Sequence, residues 1–379
     1  MKIALVSRGY SLSWGGAERV TVELSNALRK AGHKVTVFAE MIEGEAGPEL
    51  IKIDTGEGFS SAKRRYRFND IVNAELKGKD FDVVFGLTQF FPTDIYWAGG
   101  GVHEHWMRLR FGTGIKRKLK TLINPVHAVN DWLEKNILKK GNHRYIVTNS
   151  DLVKGHMHRY FGSELKVRTV YNGVDHEDFN PEVKSSRVEV RKECGFGDDD
   201  IVGIFVSTNW PRKGLDTILR AMVVEKSVKL IVVGRGSIAK YKKKAESLGI
   251  EKGRIYFAGQ VNKPGLYYGA ADFSVLPTQY DACAGVCHEA MACALPMITT
   301  KSNGASEFIE DGVSGYILDE WDDHEALARF FNKLTDKKHR EAMGIKAHEF
   351  IKGLTWERTV GELIEVCEEV VKEKGRRDG

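Results

Sequence analysis

The sequence predicts an α/β protein made of two doubly wound domains, and three observations point there. Strand-like and helix-like patterns alternate along all 379 residues, which argues for parallel sheets covered by helices. The alternation breaks at a polar connector, roughly Asn172 to Asp200, and then restarts. At this length the chain can bury two full cores.

In the first half Ile3–Ser7 reads as a strand, Ala17–Ala31 as a helix and Lys34–Phe38 as the next strand. Val83–Gly86 and Tyr145–Asn149 follow as strands. Ser150 is placed to cap a helix running toward Tyr160, and Val167–Val170 is again extended. Beyond the connector come strand Ile201–Ser207, helix Leu215–Met222, and strands Val228–Val233, Ile255–Ala258, Phe273–Leu276 and Met297–Thr300. Asp323 to about Lys374 reads as helical, with weak breaks near Asp336 and Gly353. The boundaries are 1–172 for the first domain and 173–354 for the second, with a C-terminal helix over about 355–379 that packs back on the first. Two such domains are expected to face each other across a cleft, because ligands of these folds bind beyond the carboxyl ends of the strands.

No apolar run approaches the ~20 residues of a membrane span, and Met1-Lys2-Ile3 enters a strand directly. Cytoplasm is the expected compartment. Cys194, Cys283, Cys287, Cys293 and Cys367 lack CxxC spacing, which argues against disulfides or a zinc site. Charge is uneven: residues 1–180 hold 27 Lys+Arg against 21 Asp+Glu, or +6, and the remainder 30 against 31, or −1. The excess gathers in Lys63-Arg64-Arg65-Tyr66-Arg67 and between Arg108 and Lys120, where Leu109, Phe111, Ile115, Leu119 and Leu122 are interleaved. A basic segment of this kind can lie on an anionic membrane, and its plain alternative is a solvated helix face. No nucleic-acid module accompanies the charge.

The chemistry-bearing residues stand at strand ends. Gly15-Gly16 sits where the first helix begins, and the absence of GxGxxG argues against a dinucleotide. Glycines there suit either a turn with positive φ or close backbone approach to a diphosphate. Gly99-Gly100-Gly101 precedes His103, with His105 two residues on; on a helix the pair would not share a face, so metal is disfavoured. Arg212 and Lys213 are adjacent cations before a helix, one able to fork onto phosphate oxygens and the other a point charge. Gly234 closes a strand-to-glycine turn where a nucleobase could rest. After Phe273–Leu276 come Asp281, the small residues Ala284, Gly285 and Val286, and Glu289 at the start of a helix read as Val286–Ala294. Free N–H groups at such a helix start suit phosphate, and carboxylates suit sugar hydroxyls.

Taken together, Gly15-Gly16, Gly101-Val102-His103, Tyr171-Asn172-Gly173-Val174-Asp175, Arg212-Lys213-Gly214 and Asp281 through Glu289 resemble glycosyltransferase family 4, retaining enzymes of the two-domain GT-B architecture. Within the family the likeness is to lipopolysaccharide core glucosyltransferases. The resemblance implies transfer of a hexose, glucose favoured, from a UDP-sugar to a glycan or glycolipid acceptor such as lipopolysaccharide core, at the inner face of the cytoplasmic membrane. It implies Arg212 and Lys213 on the diphosphate, Glu289 on the ribose, Asp281 on the donor sugar and His103 near the anomeric carbon. Asp281 stands where the family usually has Glu, which shortens the arm by ~1.5 Å. No cofactor is expected, and no metal, because the fixed cations Arg212 and Lys213 stand where a leaving diphosphate needs them. The competing readings are a nucleotide-sugar epimerase or sugar phosphorylase of the same fold, and a sugar-binding protein without catalysis.

Overall fold

The computed structural model describes residues 1–12, 15–44 and 47–375, apart from the side chains of Lys116, Lys118 and Leu122. Contacts divide the chain into two units: Met1–Asn172 joined by the stretch from Trp356 onward, and Gly173–Thr355.

The first unit carries β1 (Lys2–Tyr10), β2 (Lys34–Ile42), β3 (Glu49–Lys52), β4 (Val83–Gly86), β5 (Ile95–Trp97), β6 (Tyr145–Thr148) and β7 (Val167–Thr169). They form one parallel sheet in the order β3-β2-β1-β4-β5-β6-β7. Alternation along β1 sets the two faces, because successive side chains point to opposite sides. Ile3 and Leu5 join Leu24 and Leu28 of helix Gly16–Lys30 and Leu363, Val366 and Val370 of helix Trp356–Gly375. Ala4 and Val6 join Phe68 and Val72 of helix Ser61–Leu76. The C-terminal helix is thus part of the first unit's core.

The second unit holds β8 (Ile201–Val206), β9 (Val228–Val233), β10 (Ile255–Gly259), β11 (Phe273–Leu276), β12 (Met297–Thr300) and β13 (Gly315–Leu318), parallel, in the order β10-β9-β8-β11-β12-β13. In each sheet the strand order reverses once, between β1 and β4 and between β8 and β11. Loops leaving the two strands at a reversal run to opposite faces, so a crevice opens beyond their carboxyl ends.

Further elements lie between those read from the sequence. Residues 40–59 include the end of β2 and all of β3, and 90–122 include β5, helix His103–Phe111 and most of helix Ile115–Ile123. The expected polar connector holds a 3-10 turn, Pro181–Ser186, and helix Arg187–Cys194. That helix is anchored by Arg191, which is buried and pairs with Asp272 at 2.8 Å. Strands β3 and β13 are four residues long and mix polar with apolar positions or open on glycine, so they carry little period-2 signal.

Candidate active site

The loop after β8 is built around Trp210. Its ring is buried against Tyr241 and Phe257, and its Nε1–H donates to the Ser207 carbonyl at 2.9 Å. Two glycines let this loop close on its neighbours. Gly214 has φ +86°, and a Cβ there would stand 2.0 Å from the Pro277 carbonyl oxygen. Gly234, with φ +111°, would put one 2.0 Å from the Ser207 carbonyl oxygen. The Gln279 N–H donates to the Arg212 carbonyl at 2.9 Å, so the loops after β8 and β11 are joined through their backbones.

That junction carries the expected charges. Lys213 pairs directly with Asp281. Burial first, and then the neighbouring Arg212, pull the Lys213 ammonium down to about 7. Asp281 is the counter-charge that favours its protonated form. Burial also lowers the Arg212 guanidinium. The Asp281 backbone is held on both sides, its N–H on the Ser302 carbonyl and its own carbonyl on the Gly304 N–H, each at 3.1 Å.

The helix read as Val286–Ala294 runs Gly285–Ala292. Its N-cap, Ala284, has no side chain able to cap, and Gly285 is exposed, with open space where a Cβ would stand. The Ala284 N–H is taken by buried Asn303 Oδ1 at 3.1 Å. Glu289 accepts at Oε2 from the buried Tyr268 hydroxyl at 3.1 Å. Arg212, Lys213, Asp281 and Ala284 therefore stand on the two loops at the β8/β11 reversal, Gly285, Val286 and Glu289 stand on the helix that follows the second of them, and Gly234 follows the adjacent β9. Sequence reasoning missed Asn303 and Tyr268. Asn303-Gly304 reads as an ordinary turn, and nothing local marks Tyr268 as the partner of a carboxylate twenty-one residues away.

The first unit holds the remaining candidates. Gly15 is extended, φ −177°, and Gly16 opens the helix, so neither uses positive φ. A Cβ on Gly15 would meet Glu18 Oε2 at 2.9 Å, while Gly16 faces open space. Ser13 and Trp14, part of the same motif, lie outside the described residues. His103 is not at a strand end. It is the first residue of helix His103–Phe111, whose start is capped from a distance: the N–H groups of His103 and Glu104 donate to the two oxygens of Glu134 at 2.7 and 2.9 Å. Burial raises the Glu134 carboxyl to about 7 against the pull of those two bonds. The His103 ring stacks on His127, and burial followed by that neighbour lowers it to about 4, so it is neutral at physiological pH. Its Nε2 is buried without a hydrogen-bond partner among the described residues. His105 is differently placed, stacked on His156 with centroids 3.7 Å apart and bonded through Nδ1 to the Tyr160 hydroxyl at 3.0 Å.

The basic runs are less solvated than their composition suggests. Arg64 donates to Glu40 and Arg67 to the Thr55 carbonyl, while Lys63 lies 3.8 Å over the Phe59 ring. Arg108 and Arg117 both bond Glu104. What remains outward on helix Ile115–Ile123 is a stripe of Ile115, Leu119 and Ile123, 84, 55 and 67% exposed, beside exposed Lys120. The Lys116, Lys118 and Leu122 side chains lie outside the described set. No helix among the described residues is long and apolar enough to cross a membrane, and no group of three or more His, Cys, Asp or Glu there could hold a metal.

Residues 14–178 match the family model "Glycosyltransferase Family 4" and residues 186–350 the model "Glycosyl transferases group 1". The chain belongs to the family-4 glycosyltransferases. This transferase is 29% identical over 236 residues to the D-inositol 3-phosphate glycosyltransferase of Thermobifida fusca, a match spanning 58% of the chain and 54% of that protein. It is 22% identical to the lipopolysaccharide glucosyltransferase WaaG of Escherichia coli over 89% of the chain and 91% of WaaG. A WaaG crystal structure superposes with a TM-score of 0.85 at 21% identity, covering 96% of the chain and 99% of WaaG. The Anabaena protein HepE, solved with UDP-glucose, superposes at 0.71 and 17% identity over 97% of the chain and all of HepE. These likenesses establish the GT-B fold; the substrates named belong to those proteins.

The Glu134 cap has a pH signature. Its folded-state pKa of about 7 lies above the ordinary 4.5, so between those values the folded state holds a proton that the unfolded chain has lost. Its contribution to stability is fully present below pH 4.5 and is lost as pH rises through 7. Chemical unfolding of wild type and Glu134→Gln across this range should show the difference moving in favour of the variant as pH rises. A difference that stays flat would mean that Glu134 is ionised throughout.

Proposed function

We propose that this glycosyltransferase is retaining and metal-independent, and that its second unit holds a UDP-sugar, UDP-glucose favoured, for transfer to a glycan or glycolipid acceptor such as lipopolysaccharide core. One observation carries the donor half of the reading. Two cations, an uncapped helix start and two carboxylates stand on the loops of one strand-order reversal and on the helix that follows. The cations and the Gly285 turn suit a diphosphate, Glu289 a ribose, and Asp281 the hydroxyls of the sugar. HepE, with its UDP-glucose, lends support to the nucleotide and the sugar. WaaG favours lipopolysaccharide as acceptor, whereas the Thermobifida relative is named for an inositol phosphate.

The chemistry follows from charge. Breaking the bond between the anomeric carbon and the phosphate oxygen leaves negative charge on the diphosphate and positive character on the sugar ring. Arg212 and the helix N–H groups are already aimed where the negative charge grows, so they need no reorganisation at the moment of cleavage. Lys213, pulled down to about 7 by burial, is driven to its charged form by a diphosphate beside it. With the leaving group neutralised by these fixed groups, a divalent ion has no task left. No carboxylate is assigned as nucleophile, and the acceptor hydroxyl attacks from the face the diphosphate leaves. An epimerase would turn over the nucleotide-sugar without a glycan acceptor, and a phosphorylase would exchange the sugar between glycan and phosphate without releasing UDP.

Arg212→Ala should lower kcat by about 10²–10³-fold, the usual cost of removing a contact that strengthens in the transition state. Turnover in excess EDTA after dialysis should stay at the untreated rate. Near-normal kcat in the variant, or loss in EDTA with recovery on Mg²⁺, would each reject this account of the leaving group.

His103 is assigned to the reaction as a neutral imidazole that steadies the sugar. His103→Ala should keep its melting temperature and UDP affinity and lose most of its transfer rate, with His105→Ala the milder of the two. A destabilised His103→Ala with intact specific activity would make it a structural histidine.

Membrane association is assigned to helix Ile115–Ile123. Its apolar stripe enters the interface, and each nearby cation contributes about 1 kcal/mol on an anionic surface. Lys120→Glu with Ile123→Asp should abolish co-sedimentation with phosphatidylglycerol vesicles at low salt. Equal binding of wild type to neutral and anionic vesicles would refute the electrostatic part.

A further inference from the structure

Asn303 is a buried amide with both of its ends committed, and backbone shape does not account for it. It follows β12 and precedes the 3-10 turn Gly304–Phe308. Its φ of −110° and ψ of 121° are extended values open to any residue, so the turn does not call for asparagine on conformational grounds. The residue is fully buried. Oδ1 accepts from the Ala305 N–H at 3.2 Å, which caps the turn, and from the Ala284 N–H at 3.1 Å, which belongs to the loop after β11. Nδ2 donates to the Thr299 hydroxyl oxygen at 3.0 Å and to Cys287 Sγ at 3.3 Å.

Capping alone would be met by serine, threonine or aspartate as well. A hydroxyl has one hydrogen to give and an ionised carboxylate none, whereas these surroundings offer two N–H groups and two acceptors to one side chain. The amide is also fixed in orientation, because backbone N–H groups can meet only its oxygen. The Thr299 hydroxyl spends its own hydrogen on the Leu276 carbonyl at 2.8 Å, which leaves its oxygen to accept. The backbone on either side grips the same loop. The Asp281 N–H donates to the Ser302 carbonyl and the Gly304 N–H to the Asp281 carbonyl, with Asp281 and Asn303 paired in a single parallel bridge. Residues 281–284 are thus held at one end by backbone and at the other by the Asn303 amide. Through Cys287 the same amide reaches the first turn of helix Gly285–Ala292.

We propose that Asn303 is a positioning residue for the sugar half of the donor: it sets the span between Asp281 and the Gly285 turn, and so where the Asp281 oxygens lie. Asp281 has one side-chain bond fewer than a glutamate with which to adjust its reach, so its backbone placement decides which sugar hydroxyls it can meet. This role rests on the donor reading above and deepens it, because it separates the two halves of the ligand. The diphosphate falls to Arg212 and Lys213 on the loop after β8, which Asn303 does not touch. The sugar falls to the loop that Asn303 holds.

Titration calorimetry on the full chain, with UDP and UDP-glucose as probes, tests it. Asn303→Ala should bind UDP as wild type does and lower the ratio of UDP-glucose to UDP affinity about tenfold or more, the scale of losing a hydrogen bond to a charged group. Asn303→Asp, which keeps an oxygen for Ala284 and Ala305, should fall between the two. Thr299→Val leaves Asn303 in place and removes one acceptor that orients its amide. It should shift the ratio the same way by less, and it carries the test if Asn303→Ala does not fold. Phe331→Leu, in the core of the same unit against Phe273, should lower the melting temperature and leave the ratio as in wild type. An unchanged ratio in the Asn303 and Thr299 variants, or UDP and UDP-glucose weakened equally, would overturn the positioning role while the donor reading stands. So would a shift in Phe331→Leu as large as that in Asn303→Ala, which would make it a matter of stability. Wild type that binds neither UDP nor UDP-glucose would reject the donor reading and the positioning role with it.

Discussion

The backbone contact between Gly214 and Pro277 is the constraint on which the candidate donor site depends. Parallel strands end at one edge of a sheet, but their loops normally diverge. Here the loop after β8 can lie directly on the loop after β11 because residue 214 has no side chain and adopts φ +86°. The Gln279-to-Arg212 hydrogen bond then sets the two loops in register. Only with that approach can adjacent cations from one loop meet a carboxylate from the other, as Lys213 meets Asp281. A β-branched residue at 214 would be strained twice, by its φ and by its Cβ.

The charges at both sheet edges follow one pattern. Each has a carboxylate with more than one cation beside it. At Asp281 the carboxylate meets Lys213, next to Arg212, while Ser302 and Gly304 fix its backbone; at Glu40 the carboxylate is held by the Thr55 hydroxyl and two arginines. Pre-paired cations of this kind cost less to bury than bare ones, and they remain available to an anion that competes for them.

Much of the architecture was legible in the sequence, and the reason is burial. Val83–Gly86, Val228–Val233, Phe273–Leu276 and Met297–Thr300 are strands over those same residues because both faces are covered, so each reads as a β-branched or apolar run, broken only by Lys229 and Ser274. Short strands such as β3 lack that run and went unseen. The donor-side residues could be grouped because they follow strands read correctly. The surroundings of His103 could not: its helix is capped by Glu134, thirty-one residues on, from another helix. Arg64 and Arg67 read as surface charge because nothing local reveals that Glu40 and Thr55 stand beside them.

The helix Trp356–Gly375 has a consequence for how the protein is made. Leu363, Val366 and Val370 cover the face of β1 that also carries Ile3 and Leu5. Translation delivers the strand residues long before the helix residues that cover them. The second unit is contiguous in sequence and can close on itself as soon as it has emerged. The first unit cannot, and until helix Trp356–Gly375 has followed, its sheet keeps an apolar face open to misassociation.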